Sequence, residues 1–206
     1  MLNDQIENTV AVESHGPSRD RRSRGLLRRL CKDKAGASAI EFALLALPFM
    51  LVIFASLETF TAFTAEQLFA NATETMARKV RTGEINATNT SKEQFRKAFC
   101  NEISIIMTCS ATEAKTPSKL FIDVRSFATF AQIPNAVPRK SGNLDTSSFD
   151  FKPGGPTTVT MVRAYYRWEV VTDLVRPFIT NLRPAGTSMP KDYLMVSTSA
   201  FRAENY

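Results

Sequence analysis

The chain contains one long apolar run, which predicts a helix able to cross a membrane. Residues 42–57 carry no charge and consist mainly of Leu, Ala, Phe, Val and Ile. The wider stretch 37–65 is interrupted by Glu41, Glu58, hydroxyl-bearing side chains and Pro48, and membrane helices tolerate such a proline. A helix rises about 1.5 Å per residue, so about 20 residues cross a hydrocarbon core of about 30 Å.

The charge around this run predicts its orientation. Eight Lys and Arg side chains precede the run between residues 19 and 34, with two Asp among them. Such basic flanks stay on the cytoplasmic side, whereas a buried helix of a soluble domain has no need of one-sided charge. We therefore expect a basic cytoplasmic leader at 1–36, a transmembrane helix at 37–65 and an exported domain, periplasmic or extracellular, at 66–206.

Two other roles for the apolar run stay open at this point. A cleavable secretory signal also has a basic segment followed by an apolar one. Its cleavage site needs small residues, however, and the candidate sites at Ala62 and Ala65 have Phe60 and Phe63 at a position that should be small. A plain signal anchor, with Glu41 as a residue at the membrane edge, fits the same pattern.

Helical spacing continues beyond the apolar run. Apolar residues recur four positions apart and predict a packing face, which consists of Leu68, Ala72, Met76 and Val80. Gly83 is placed to end this helix. A second helix is predicted from residue 92 to about 106, with Ser91 as its N-cap. The apolar face of this second helix consists of Phe95, Phe99, Ile103 and Ile106.

Alternation of period two replaces helical spacing in the second half. It predicts strands at 119–127, 157–172 and 193–201, and the middle strand has an apolar face formed by Val162, Ala164, Tyr166, Trp168 and Val170. The segment 135–156 is rich in Pro, Gly, Ser and Asn and predicts a long exposed loop. A short helix interrupted by Pro177 is predicted at 174–182. The fold class is therefore α+β, a long N-terminal transmembrane helix that continues into an exported domain of helix plus antiparallel β-sheet.

Composition argues against most catalytic and nucleic-acid functions. Much of the basic excess behind the formal net charge of +6 is the leader cluster at 19–34, so we expect no nucleic-acid binding. The one histidine, His15, lies in the leader, which excludes Ser-His and Cys-His catalysis from the exported part. No glycine-rich phosphate loop or paired carboxylates are evident, so we expect neither an enzyme nor a cofactor.

The three cysteines agree with this topology. Cys31 lies in the leader, and Cys100 and Cys109 lie in the exported part. An oxidising compartment would let these two pair, which stabilises a small loop by roughly 2–3 kcal/mol in the chain-entropy treatment. Two buried free thiols are the alternative, and a metal site is not expected because no histidine lies nearby.

The junction between leader and helix carries the most specific signal. Gly36 is followed by Ala37-Ser38-Ala39-Ile40-Glu41-Phe42. A charge at mid-membrane costs about 2.5–3.5 kcal/mol on insertion scales, and a plain anchor gains nothing from Glu41. A glycine, four residues, a glutamate and an apolar helix resemble the processing site of type IV prepilins.

Residues 34–44 as a whole resemble the N-terminal signature of TadE/TadF-type minor pseudopilins of tight-adherence (Tad, Flp-type) pilus systems. Residues 77–83, 162–169 and 201–206, together with the cysteine pair, are also similar to that family. The resemblance covers about residues 28–206 and implies a pilin-like fold, although the leader is long for the family.

The resemblance also implies a function in pilus assembly. A prepilin peptidase would cut between Gly36 and Ala37, and Glu41 and Phe42 would serve recognition and assembly. The implied partners are that peptidase, a second TadE/TadF-type pseudopilin, an Flp-type major pilin, the inner-membrane assembly platform and membrane lipid. The implied location is the bacterial inner membrane, single-pass, with a periplasmic C-terminal domain. The alternative is a signal-anchored periplasmic binding module without prepilin processing.

Overall fold

The structure, a computed structural model, describes residues 34–173, 175–186 and 192–206. The leader residues 1–33, with His15 and Cys31, lie outside this part. The elements in order are α1 (Lys34–Arg81), α2 (Lys92–Ile103), β1 (Leu120–Phe127), a 3-10 turn (Phe130–Gln132), β2 (Arg139–Lys140), β3 (Asn143–Leu144), β4 (Phe151–Lys152), β5 (Val159–Glu169), α3 (Arg176–Ile179) and β6 (Asp192–Arg202). The chain forms two compact units whose boundary falls inside α1, between Leu51 and Val52.

The described part of the first unit is the beginning of α1. Its large apolar side chains are exposed on every side of the helix: Ile40, Phe42, Leu44, Leu45, Leu47, Phe49, Met50 and Leu51. A helix that is apolar all round requires an apolar environment. From Ser38 onward α1 is long and apolar enough to cross a membrane, and the most apolar stretch has no buried residue. The predicted membrane-capable helix is therefore confirmed.

In the second unit, α1 has a single buried face. Buried residues follow one another at three- or four-residue spacing, namely Ala62, Ala65, Phe69, Ala72, Met76 and Val80, and Thr73 and Ala77 are buried beside them. The predicted face is confirmed except at its first position, where Phe69 is fully buried and Leu68 only half-buried. The ring of Phe69 packs against those of Phe99 and Tyr166, with centroids 5.5 and 6.1 Å apart.

The end of α1 depends on Gly83, as its sequence position predicts. Gly83 has a φ of 78°, which L-residues with a side chain rarely adopt. A Cβ at this position would also lie 2.5 Å from the ring of Tyr206. The C-terminal tail is held there because the Glu204 N–H donates to the Arg81 carbonyl at 2.9 Å.

Helix α2 begins and packs as predicted but ends sooner. Ser91 forms a capping box with Gln94, in which each side chain accepts a hydrogen bond from the other residue's backbone N–H. The helix ends at Ile103, where the Ser104 N–H turns back to the Asn101 carbonyl. The apolar face predicted for this helix is fully buried at Phe95, Phe99 and Ile103 and half-buried at Ile106.

The sheet has the strand order β4-β1-β5-β6. Strands β1, β5 and β6 are antiparallel, while β4 pairs in parallel with β1, so the sheet is mixed. One face packs on α1 and α2 through Leu120, Ile122, Val124, Val162, Ala164, Tyr166 and Met195. The opposite face carries a smaller apolar cluster of Leu144, Tyr165, Leu182 and Leu194. The α+β class and the predicted apolar face of the middle strand are confirmed.

The prediction of a long exposed loop at 135–156 is wrong in part. This segment forms the β2–β3 hairpin and the short strand β4, and its Leu144 is buried. Phe149 stacks on Tyr165 with ring centroids 4.7 Å apart. The guanidinium of Arg163 anchors the start of the segment, donating to the Pro134 carbonyl at 2.7 Å and to Thr198 Oγ1 at 2.8 Å.

We expect Phe69→Ala to lower the free energy of unfolding by about 3–5 kcal/mol, because it leaves a cavity where α1, α2 and the sheet meet. The matched control is Phe60→Ala, on the same helix but 69% exposed, which should change stability far less. Thermal unfolding of the full chain in detergent micelles, followed by circular dichroism, makes the comparison. Equal losses in the two variants would contradict the assignment of this core.

Candidate functional site

The predicted processing site lies at the beginning of α1. The helix starts at Lys34, so Gly36 and Ala37 are both in its first turn. The first N–H groups of a helix have no intrahelical partner, and glycine is a poor helix former. The peptide bond after Gly36 is therefore in a weak part of the helix. Its cleavage stays a prediction.

Glu41 and Phe42 lie one helical turn further along α1. Both side chains are exposed, Phe42 by 74%. Residues three and four positions from Glu41 share its face of the helix, and those that follow it are Leu44 and Leu45. The carboxylate thus lies on an apolar surface with no cation beside it on that side.

Glu41 differs from the other three carboxylates of α1. Glu58 accepts the backbone N–H groups of Val171 and Thr172 at 2.6 and 3.1 Å. Glu66 accepts the Tyr193 hydroxyl at 3.3 Å, and Glu74 accepts that of Ser199 at 2.9 Å. The acidic residues of α1 that follow the uncharged run 42–57 therefore all bind β6 or the connection before it: Glu58, Glu66 and Glu74. Of the four carboxylates of α1, only that of Glu41 has no hydrogen bond or ion pair with another residue in the described ranges.

The predicted cysteine pair is confirmed. Cys100 in α2 and Cys109 in the following loop form a disulfide with Cα atoms 5.9 Å apart. Both residues are half-buried and pack against the main core. The bond closes a small loop and fixes the start of the 104–119 connection to α2.

Glu113 holds the other end of that connection, and sequence reasoning missed it. This carboxylate is 1% exposed. Its Oε1 accepts the N–H groups of Ser118, Lys119 and Leu120 at 2.7–2.8 Å, and its Oε2 accepts the Ser118 hydroxyl at 2.6 Å. Burial raises the pKa of Glu113, but these hydrogen bonds outweigh it and hold the pKa below the usual value. A lone glutamate in a polar loop carries no periodic signal that would reveal this role.

The remaining buried ionic groups are also engaged within the domain. Asp123 accepts a hydrogen bond from Arg125 at 2.6 Å and another from the Asp150 N–H. The guanidinium of Arg96 donates to the Ala114 carbonyl, and burial lowers its pKa. These contacts hold loops in place. In the part of the chain that the structure covers, no three His, Cys, Asp or Glu residues are grouped to hold a metal ion.

An open cleft lies beside the disulfide. Its volume is about 740 Å³, and α2 and the 104–115 loop line it. Glu93, Lys97 and Lys115 border the cleft together with the two cysteines. The arrangement offers a contact surface of mixed charge and no convergent catalytic groups.

Comparison with known proteins finds a family match for the N-terminal part of the chain. Residues 36–78 match the family model described as TadE-like protein. The chain is TadE-like in this segment. The match begins at Gly36 and ends near the C-terminus of α1, so the expected resemblance to a TadE-like protein of the Tad pilus system is confirmed there. It does not include the sheet or the disulfide. No curated protein and no solved structure gave a significant match.

We expect Glu113→Gln to lower the free energy of unfolding by about 1–2 kcal/mol at neutral pH, because it replaces charge-assisted hydrogen bonds by neutral ones. The folded-state pKa of Glu113 lies below the usual 4.5. The carboxylate therefore stabilises the fold above that pH and loses this contribution as the pH falls through the lowered value. The difference between wild type and variant should shrink accordingly below pH 4.5.

Urea unfolding of the full chain in detergent micelles between neutral and acidic pH measures this difference. Trp168, the one tryptophan of the chain, supplies the fluorescence signal. The control is Glu84→Gln, which changes an exposed carboxylate and should leave stability almost unchanged. A Glu113→Gln effect that stayed constant into acid would show that the charge of Glu113 contributes nothing.

Proposed function

We propose that the chain is a minor pseudopilin that a prepilin peptidase cuts after Gly36 and that acts in assembly of a Tad/Flp-type adhesion pilus. A general role in the Tad pilus system follows from the TadE-like match. Processing, the site residues and the specific partners are our proposal. The observation that carries it is the Glu41 carboxylate, which has no partner among the described residues and lies five residues after Gly36, in the part of α1 that is apolar all round.

The geometry of α1 supports an intermolecular role for Glu41. Cleavage after Gly36 creates a free amine on Ala37, at the start of an exposed apolar helix. A carboxylate and an amine that are both held in lipid are costly alone, and pairing lowers that cost. Pairing of Glu41 with the amine of a neighbouring subunit aligns the two helices along their axes. The exposed apolar side chains then supply lateral packing.

The exported domain has a different part in this proposal. Its buried carboxylates are used internally and its cleft is open, so it acts through surface contacts rather than chemistry. We place it on the periplasmic side of the inner membrane, where it joins a second TadE/TadF-type pseudopilin, the Flp-type pilin and the assembly platform. The disulfide supports this location because such bonds persist in oxidising compartments.

Processing is tested by the N-terminus of the protein in membranes of its native host, determined by mass spectrometry. We expect the wild-type chain to begin at Ala37. Gly36→Leu should retain the leader, because a branched side chain hinders close approach of a peptidase to the backbone, while the leader control Gly25→Leu should be cut normally. An intact leader on the wild type leaves an anchored periplasmic module, and a start near Glu66 means a secreted soluble domain.

The assembly role of Glu41 is tested separately by Glu41→Ala. We expect this variant to be processed and inserted normally but to reduce pili per cell at least about tenfold, since breaking a buried ion pair costs about 3–5 kcal/mol. The control is Glu84→Ala, which removes an exposed carboxylate after the end of α1. Carbonate extraction checks insertion and electron microscopy counts pili. Normal piliation of Glu41→Ala would disprove the pairing.

A further inference from the structure

A second segment of the chain lies beside the outer end of the membrane-capable run. Glu58 follows directly after the uncharged stretch of α1 and binds the backbone N–H groups of Val171 and Thr172 with both carboxylate oxygens. These hydrogen bonds tie the connection after β5 to α1 at this level. All of these residues belong to the second compact unit.

This connection has a defined structure. Arg176 donates from Nε and Nη2 to the Val170 carbonyl at 3.3 and 3.1 Å. Its Nη1 forms an ion pair with Asp173 at 2.8 Å, and the Thr180 hydroxyl donates to the Arg176 carbonyl. The guanidinium thus closes a turn and holds the short helix α3 against the end of β5.

Two apolar side chains of the connection, those of Val171 and Phe178, point away from the protein, whereas Val170 is buried. Val171 is 82% and Phe178 86% exposed, more than any other large apolar residue in the described ranges. Trp168 lines a small cavity of about 310 Å³ together with Phe54 and Glu58. Tryptophan is enriched where a membrane meets water.

The neighbouring surface of α1 indicates what covers these side chains. Exposed apolar residues continue on both sides of Glu58, at Phe54, Leu57, Phe60 and Phe63. If the helix spans the bilayer, lipid must surround these exposed apolar residues. The hydrogen bonds of Glu58 hold Val171 next to them. The polar groups that face outward there are already satisfied, because Glu58 binds two N–H groups and Arg176 pairs with Asp173.

We propose that residues 170–179, apart from the undescribed residue 174, form a second, interfacial contact with the lipid bilayer. Val171 and Phe178 enter the boundary between headgroups and acyl chains, and Trp168 lies at the same depth. This contact restrains the exported domain at the membrane surface, in addition to the helix. The inference rests on the membrane anchoring in the proposed function, but on neither processing nor pilus assembly.

Fluorescence in lipid vesicles tests this contact. The full chain is prepared in a Trp168→Phe background, which removes the one native tryptophan, and reconstituted into vesicles whose acyl chains carry bromine, a quencher of short range. Three reporters are compared: Phe178→Trp in the proposed contact, Phe49→Trp in the apolar run and Phe130→Trp as a water-exposed control.

The control lies far from the membrane. Phe130 is 51% exposed and follows β1, whose Phe127 pairs with Val159 at the start of β5. The connection at Val171 follows the other end of that strand. Eleven strand residues span about 35 Å at about 3.3 Å per residue, which is well beyond the range of quenching.

We expect Phe49→Trp and Phe178→Trp to lose emission in brominated relative to ordinary vesicles, and Phe130→Trp to keep it. Quenching of Phe178→Trp no stronger than that of Phe130→Trp, while Phe49→Trp is quenched, overturns the contact and leaves the segment to a protein partner. If Phe49→Trp is not quenched either, the membrane anchoring fails and the contact with it.

Discussion

The rest of the structure depends on one constraint, that a single helix must satisfy two different surroundings. The first part of α1 is apolar on every side and exposed, whereas the part after Ala62 buries one narrow face. Only lipid or apolar neighbours stabilise the first surface, and only a packed core stabilises the second. Phe69 fixes the register of the core along the helix because its ring packs between Phe99 and Tyr166.

The carboxylates of α1 mark the change between these surroundings. Glu58, Glu66 and Glu74 recur every eight residues, and each is bound by the connection after β5 or by β6. Burial, and next the Glu66 charge, raises the pKa of Tyr193, so its hydroxyl remains a neutral donor. Glu41 comes before this series and has no such partner among the described residues. The three later glutamates explain how the domain is attached to its helix, and in our proposal the first pairs with a neighbouring subunit.

Periodic features of this fold could be predicted from the sequence, and isolated ones could not. The apolar face of β5, the N-cap at Ser91 and the helix end at Gly83 each follow from a repeated or strongly favoured local pattern. Strands of two residues, such as β4, are too short for alternation to show. Tertiary structure brings Glu58 to residues 113 and 114 positions away. Glu113 binds residues only five to seven positions away, but no sequence pattern marks such a loop. Helical spacing fits Leu68 as well as Phe69, so the pattern alone does not distinguish them.

The family match falls on the part of α1 that has two different surfaces. Residues 36–78 include the stretch that is apolar on every side and nearly all of the buried face against which the sheet packs. The sheet has only to cover one face of α1 and α2 with the right volume, which many apolar sequences can do. Its loops have to be held, and here Glu113, Arg163 and Arg176 each do so by a different set of hydrogen bonds. The segment that matches the family is therefore the helix, whereas the domain attached to it is stabilised by contacts that lie largely outside the match.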